Sequence, residues 1–203
     1  MEPLRTLKVG LDSLLLEFGS GGEVVEAFRS ARSRRDEGLL EAIEIIPAAR
    51  TLLLSGVEVD RVLGDLEHWG AGAGEQQQPE LIELPIRYDG PDIESVARLW
   101  DCTAQEAASF HSSLEYSVDF CGFAPGFAYC SGLPEGYEVP RLTRPRSAVP
   151  ARSVGLAAGY TGVYPRASPG GWQLIGSVDI PVWQEGSGDP ALLRPGCRVR
   201  FVP

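Results

Sequence analysis

Two histidines occur in the 203 residues, so proton transfer near neutral pH has few places to sit. His111, in FHSSLEY, stands four positions before Glu115. An imidazole with a carboxylate to orient it could move a proton, which makes His111 and Glu115 the candidate catalytic pair. The structural alternative is a helix-end histidine bonding a carbonyl. His68, before Trp69 and Gly70, reads as structure or surface. No Ser-His-Asp set can be argued from spacing. The cysteines (Cys102, Cys121, Cys130 and Cys197) form no CxxC pair, and with so few histidines they make a poor zinc site and a poor disulfide framework. No metal is expected, and the thiols read as small core residues.

Charge points to a second kind of chemistry. With 28 acids against 18 bases, the net charge of −10 disfavours nucleic acid and anionic membrane as partners. Yet no acid occurs between Glu138 and Asp179, where Arg141, Arg144, Arg146, Arg152 and Arg166 all fall. The planar fork of arginine suits carboxylates and phosphates, so a local anion site is expected there, with Arg144 and Arg146 in the binding set. The alternative is that these arginines pair with the acidic first domain or with a partner subunit. The same region is dense in glycine and proline: GFAPGFAYCSGLP, PRLTRPRSAVP and TGVYPRASPGGWQLIG. Glycine permits close backbone approach to a ligand, and prolines such as Pro125 pre-set turns. Phe123, Phe127, Tyr129, Tyr160, Tyr164 and Trp172 supply apolar walls, unless core packing takes them. Gln173, with the hydroxyls of Thr161 and Tyr164 nearby in sequence, suits a urea- or lactam-like group that offers paired donor and acceptor edges.

Other chemistries are excluded or not expected. Lys8 is the only lysine and no GK[ST] follows a glycine loop, so a Walker-type nucleotide site is absent. Gly70–Glu75 (GAGAGE) misses the GxGxxG spacing and reads as linker. No apolar run approaches a membrane span, and the N-terminal stretch lacks a long apolar core and a small-residue cleavage site, so a cytoplasmic location is expected. There is no asparagine, hence no N-glycosylation acceptor.

These residues need elements to hold them. The linker GAGAGEQQQPE divides the chain into an expected domain over 1–79 and another over 80–203. In the first, Leu14–Phe18 reads as a strand and Glu23–Arg35 as a helix with Val24, Ala27, Phe28 and Ala31 inward. Leu40–Ile46 and Thr51–Val57 read as strands about a Pro47–Arg50 reversal, and Asp60–Trp69 as a helix capped by Asp60. With Leu81–Tyr88 as a last strand, the order βαββαβ predicts an α+β, ferredoxin-like layer. In the second domain Asp92 and Thr103 open helices, the latter through a capping box with Glu106. From Tyr116 onward YSVDF, SVGLAA, TGVYP, WQLIG, IPVW and CRVRFV, separated by turn residues, predict a mostly β barrel or sandwich.

The sequence also resembles a known family. GFAPGFAY, the PRLTRPRSAVPARSVG stretch and the sixteen residues TGVYPRASPGGWQLIG are similar to the B subunit of 5-oxoprolinase, also called allophanate hydrolase subunit 1 or KipI-like. The resemblance is strong from about Tyr88 onward, including GPDIESVA and PALLRPGCRVRFV, and is collinear but weaker earlier, around GLLEAIEIIPAARTLLL. It implies a ferredoxin-like N-terminal domain and a cyclophilin-like C-terminal barrel with a carboxyltransferase-domain relationship. It also implies a partner resembling allophanate hydrolase subunit 2, or the C subunit of 5-oxoprolinase, and a LamB/YcsF-like third protein, the A subunit. Together these would open 5-oxoproline to glutamate with ATP, the barrel giving half of a composite site and this chain showing little activity alone. ATP phosphates or the substrate carboxylate would meet Arg141, Arg144 and Arg146. The alternatives that the resemblance leaves are a urea carboxylase or allophanate hydrolase type of carboxyltransferase, using biotin carried elsewhere, and a KipI-like inhibitor of a histidine kinase. The family carries a His and a Glu at the positions of His111 and Glu115. Two departures stand out: Arg152 replaces the glycine of VPAGSVG, and Tyr160 replaces a frequent glutamine before TGVYP.

Overall fold

Short runs near the N-terminus pair into a sheet before any helix is made. In this computed structural model, which describes residues 3–66, 69, 79–186, 188 and 190–203, Arg5–Val9 (β1) and Ser13–Glu17 (β2) form an antiparallel hairpin. Helix Gly21–Asp36 (α1) starts two residues before the expected Glu23, because Ser20 and Glu23 cap each other's backbone N–H groups. It buries Val24, Ala27, Phe28 and Ala31, the spacing expected. Glu44–Pro47 (β3) and Thr51–Ser55 (β4) flank a reversal closed by the Ala48 N–H to the Thr51 carbonyl at 2.8 Å. Helix Val59–Asp65 (α2) is capped by the Glu58 carboxylate and not by Asp60. The sheet order is β1-β2-β4-β3, antiparallel throughout, so β4 lies between β2 and β3.

One strand assignment is corrected. Leu81–Tyr88, expected as the last strand of the first domain, instead pairs as Leu81–Arg87 with Gln173–Val178 and Arg198–Val202, and the strand beside β2 is Arg5–Val9. That strand was missed because its residues are mostly exposed and carry little alternation. Leu14, Leu16, Leu52 and Leu54 point from the central strands into a core closed by Val24, Phe28 and Ala31 of α1. The linker residues 70–78 and His68 lie outside the described residues.

The chain divides into two compact units, Met1–Gln78 and Pro79–Pro203. In the second unit Leu81–Arg87 (β5) leads to helices Ile93–Leu99 (α3) and Ala104–Ser113 (α4). The remaining strands are Glu115–Cys121 (β6), Ala128–Ser131 (β7), Arg146–Val149 (β8), Ser153–Ala157 (β9), Tyr160–Val163 (β10), Ser168–Gly170 (β11), Gln173–Val178 (β12) and Arg198–Val202 (β13). Six of them close a barrel with β5, in the order β10-β7-β6-β13-β5-β12-β9, while β8 and β11 form a separate ribbon. Leu81–Pro85 runs parallel to Arg198–Val202, and the other barrel pairings are antiparallel. The expected IPVW strand is reduced to a single bridge between Trp183 and Ala191. Leu84, Val118, Ala128, Cys130, Leu156, Val163, Ile175 and Phe201 fill the barrel core. Alternation then fixes which side chains of each strand face outward. Among the described residues no helix is long and apolar enough to cross a membrane.

Candidate functional site

The inner face of the barrel wall holds His111. Thr103 and Glu106 start α4 through a capping box, and the last turn of that helix carries the histidine into the core. Its Nδ1 lies 2.8 Å from the Tyr88 hydroxyl and its Nε2 3.1 Å from Thr161 Oγ1. Thr161 also reaches the Gly155 carbonyl at 3.5 Å, a bond in which the hydroxyl must donate. It therefore accepts from Nε2–H, and Nδ1 accepts from Tyr88: the assigned state is a neutral imidazole with its proton on Nε2. The rings of Tyr116 and Phe201 pack at 5.0 and 4.7 Å, and the side chain has no solvent exposure. Desolvation lowers its pKa to about 3. Glu115, at the start of β6, turns elsewhere and pairs with Arg198 at 2.8 Å and Arg200 at 3.2 Å. The expected pair is thus divided between a sealed core position and a surface ion-pair cluster.

The arginines of the acid-free stretch also separate. Arg146, at the start of β8, donates to Asp92 Oδ1 at 2.7 Å and to the Trp172 carbonyl at 3.4 Å. The other Asp92 oxygen accepts from the Leu174 N–H at 2.6 Å. Asp92 ends at the N-terminus of α3 without capping it by side chain, because both its oxygens tie that helix to β8 and β12. Its place ahead of the acid-free stretch hid this pairing from the sequence. Arg152, at φ +69°, donates to the Asp179 carbonyl at 3.1 Å. Arg141 and Arg144 are exposed, and among the described residues their guanidinium groups form no hydrogen bond or ion pair.

The outer face of the same wall is aromatic. Phe127, Tyr164 and Trp172 are buried there with Val149, Ala157 and Leu174, and Tyr129 and Tyr160 pack against them half-buried. Phe127 sits 5.2 Å from Trp172 edge to face, and Tyr129 5.5 Å from Trp172. Gly162 lets the rings reach the strand: a Cβ there would meet the Ala128 carbonyl at 2.8 Å and Trp172 at 3.1 Å. Ala124–Phe127 makes a turn closed by the Phe127 N–H at 3.0 Å, with exposed Pro125 second and Gly126 third at φ +79°, the type II requirement. It holds Phe123, 62% exposed at φ +68°, over Phe127 and Tyr164. A bulky residue held in the left-handed region is strain that the surrounding contacts must offset.

Of the expected polar contacts, Thr161 faces inward to His111, so it is separated from Tyr164, which is buried in the outer aromatic cluster. Gln173 is buried, and its amide donates to the Pro140 carbonyl at 2.9 Å. The next carbonyl-to-amide bond, Leu142 N–H to Gly171 at 2.7 Å, anchors the other side of Arg141. Gln173 therefore positions the loop that presents Arg141.

One polar residue escaped sequence reading. Asp119 is buried, its Oδ1 accepting from Ser131 Oγ at 2.7 Å. Val118 opposes Cys130 and Phe120 opposes Tyr129, so Asp119 is the extra residue of a bulge. The only sequence signal was an acid inside the run YSVDF, which alternation alone would send to solvent. Among the described residues no group of three or more His, Cys, Asp or Glu is placed to hold a metal.

The chain is similar in sequence and fold to known proteins. The family described as carboxyltransferase domain, subdomain C and D, matches residues 4–193. The chain is 36% identical over 212 aligned positions to the B subunit of 5-oxoprolinase from Escherichia coli O157:H7, covering 100% of this chain and 97% of that protein. It is 42% identical over 125 positions to the Bacillus subtilis (strain 168) protein of the same name, covering 60% of this chain and 52% of that one. Among crystal structures, TTHA0988 matches with a TM-score of 0.79 and 31% identity over 94% of this chain, which spans only 39% of that longer chain. The conserved uncharacterized protein PH0987 from Pyrococcus horikoshii matches with a TM-score of 0.59 and 34% identity, covering 98% of this chain and 97% of that one. The Kluyveromyces lactis urea amidolyase, at 17% identity and a TM-score of 0.69, shares the fold over 98% of this chain and 15% of its own.

Proposed function

The chain belongs to the family of carboxyltransferase subdomains C and D that includes the B subunit of 5-oxoprolinase, and from that premise we propose that it is the B subunit of an ATP-dependent complex opening 5-oxoproline to glutamate. The observation that carries this reading is identity of 36% along the whole chain to a protein of that name and nearly equal extent. In this reading the first unit is the family's ferredoxin-like domain and the barrel its cyclophilin-like domain. The complex is cytoplasmic. The partners are a barrel protein like the C subunit of 5-oxoprolinase and a LamB/YcsF-like A subunit, and the complex uses ATP, for which this chain offers no Walker-type loop.

The ligand-facing surface is the outer wall, where exposed Phe123 and Pro125 and half-buried Tyr129 and Tyr160 overlie the buried Phe127, Tyr164 and Trp172, with the unpaired Arg141 and Arg144 on the segment that Gln173 and Gly171 anchor. Half-exposed rings beside unpaired guanidinium groups suit a small ring with a carboxylate. His111, Thr161 and Arg146 hold the wall. Among the described residues no complete turnover site is assembled, and the partner barrel supplies the rest. Co-purification with the two partner proteins, followed by ATP hydrolysis assays with 5-oxoproline, urea and allophanate, tests the reading. ATP hydrolysis coupled to glutamate formation is expected with 5-oxoproline alone. Turnover with urea or allophanate, or full turnover by the isolated chain, would overturn it.

A further inference from the structure

The bulge in β6 does more than interrupt a ladder. In regular alternation Asp119 and Phe120 would face opposite sides of the wall. With an extra residue at Asp119, both serve the outer side: Asp119 meets Ser131, and Phe120 stacks on Tyr129 with centroids 4.3 Å apart. Tyr160 pairs with Ser131 across the strands, and its ring stands 5.8 Å from Phe120 and 5.7 Å from Tyr129. A buried carboxyl is thereby set at one edge of a half-exposed aromatic face. Arg141 sits on a loop fixed on both sides by Gln173 and Gly171, the neighbours of Trp172, whose ring lies 5.5 Å from Tyr129. Electrostatics agree with that placement. Burial raises the phenols of Tyr129 and Tyr164, and Arg141 pulls both back. Burial and then the Asp119 charge raise Tyr160. Tyr129 therefore feels the positive charge of Arg141, and Tyr160 the negative charge of Asp119.

From this juxtaposition we infer that Asp119 and Arg141 are the two recognition groups of the outer wall, Asp119 accepting a ligand N–H and Arg141 binding a ligand carboxylate across the Tyr129–Tyr160 pair. One Asp119 oxygen is held by Ser131, which fixes the carboxyl while its other oxygen is left for a ligand. The class of ligand is a flat cyclic amide that bears a carboxylate. The assignment rests on the reading of this wall as the protein's binding face, and it adds a residue, Asp119, that lies outside the motifs of the family resemblance.

The test is calorimetric titration of the full-length chain with three probes: 5-oxoproline, its N-methyl derivative, and pyrrolidinone, which lacks the carboxylate. The wild-type chain is expected to bind 5-oxoproline about ten- to a hundredfold more tightly than either analogue, the range of one well-aligned charge-assisted contact. Asp119→Ala should remove the preference over the N-methyl derivative and keep that over pyrrolidinone. Arg141→Ala should do the reverse. Asp119→Asn, which keeps a partner for Ser131, guards against misfolding and should weaken 5-oxoproline binding about tenfold. Equal affinity of the wild-type chain for all three probes, or no binding of any, would overturn the assignment. Turnover by the reconstituted complex is a separate readout: activity without these preferences overturns the two-pole site and leaves the 5-oxoprolinase reading standing.

Discussion

Strand β10 carries adjacent residues into opposite worlds. Thr161 faces the barrel core and bonds His111, while Tyr160 faces the outer wall near Asp119. Burial displaces the pKa of both titratable groups, His111 downward and Asp119 upward. Yet His111 has both ring nitrogens engaged and no exposure, whereas Asp119 has one oxygen committed to Ser131 at the rim of half-exposed rings. A shifted pKa therefore marks two different things around one strand: a satisfied core residue and a group that a ligand can reach. Access separates them.

The largest expected effect lies with the polar anchor behind the aromatic wall. Asp92→Ala strands the Leu174 N–H and leaves Arg146 without its carboxylate; the two side chains are 11% and 28% exposed. Urea denaturation of the chain should show a loss of about 2–4 kcal/mol, below the range for fully buried pairs because Arg146 is partly solvated. An unchanged midpoint would show that Arg146 is free for ligand, as its place in the acid-free stretch first implied.

The inner face comes next. The folded pKa of His111 is about 3, below its unfolded value of about 6.5. The unfolded chain therefore binds the extra proton between these values, so the contribution is full above about pH 6.5 and is lost as pH falls toward 3. Stability should drop by about 2 kcal/mol by pH 5 from this group. His111→Gln should cost about 1–3 kcal/mol at pH 7 and flatten this acid limb. An acid limb identical to wild type would mean that the imidazole is solvated.

Asp119 has the opposite sign. Burial raises its pKa, so ionisation opposes folding and stability falls as pH rises through the carboxylate range. Asp119→Asn should leave neutral-pH stability equal or higher by less than about 1 kcal/mol. A marked loss would assign the carboxylate to structure. The smallest effect is at Arg152, held at φ +69°. Arg152→Gly relieves that backbone cost but gives up the bond to the Asp179 carbonyl, so stability from thermal unfolding should move by no more than about 1 kcal/mol.

That last position shows how much of the molecule was legible beforehand. The departure at Arg152 was visible from the family glycine, and the structure supplies the reason for a glycine there in the positive φ. Helix α1 and the capping box at Thr103 followed from spacing, and most barrel strands followed from short apolar runs between turn residues. The aromatic residues were identifiable, but their division between the two barrel faces depends on strand pairing. His111 and Glu115 looked like partners because sequence separation says nothing about a helix end followed by a strand that turns away. Arg146 looked free because Asp92 lies 54 positions earlier. Asp119 was invisible because a bulge is a property of register, and register requires the partner strand.

Side-by-side kinetics of the reconstituted complex, carrying Asp119→Asn or His111→Gln, test the division between the two faces most directly. At a temperature where both variants are folded by circular dichroism, Asp119→Asn should raise KM for 5-oxoproline about tenfold, the loss of one charge-assisted contact, and His111→Gln should keep kcat/KM within about twofold of wild type. A His111 variant that is folded but inactive, beside an Asp119 variant with wild-type KM, would place the working face inside the barrel and contradict the account.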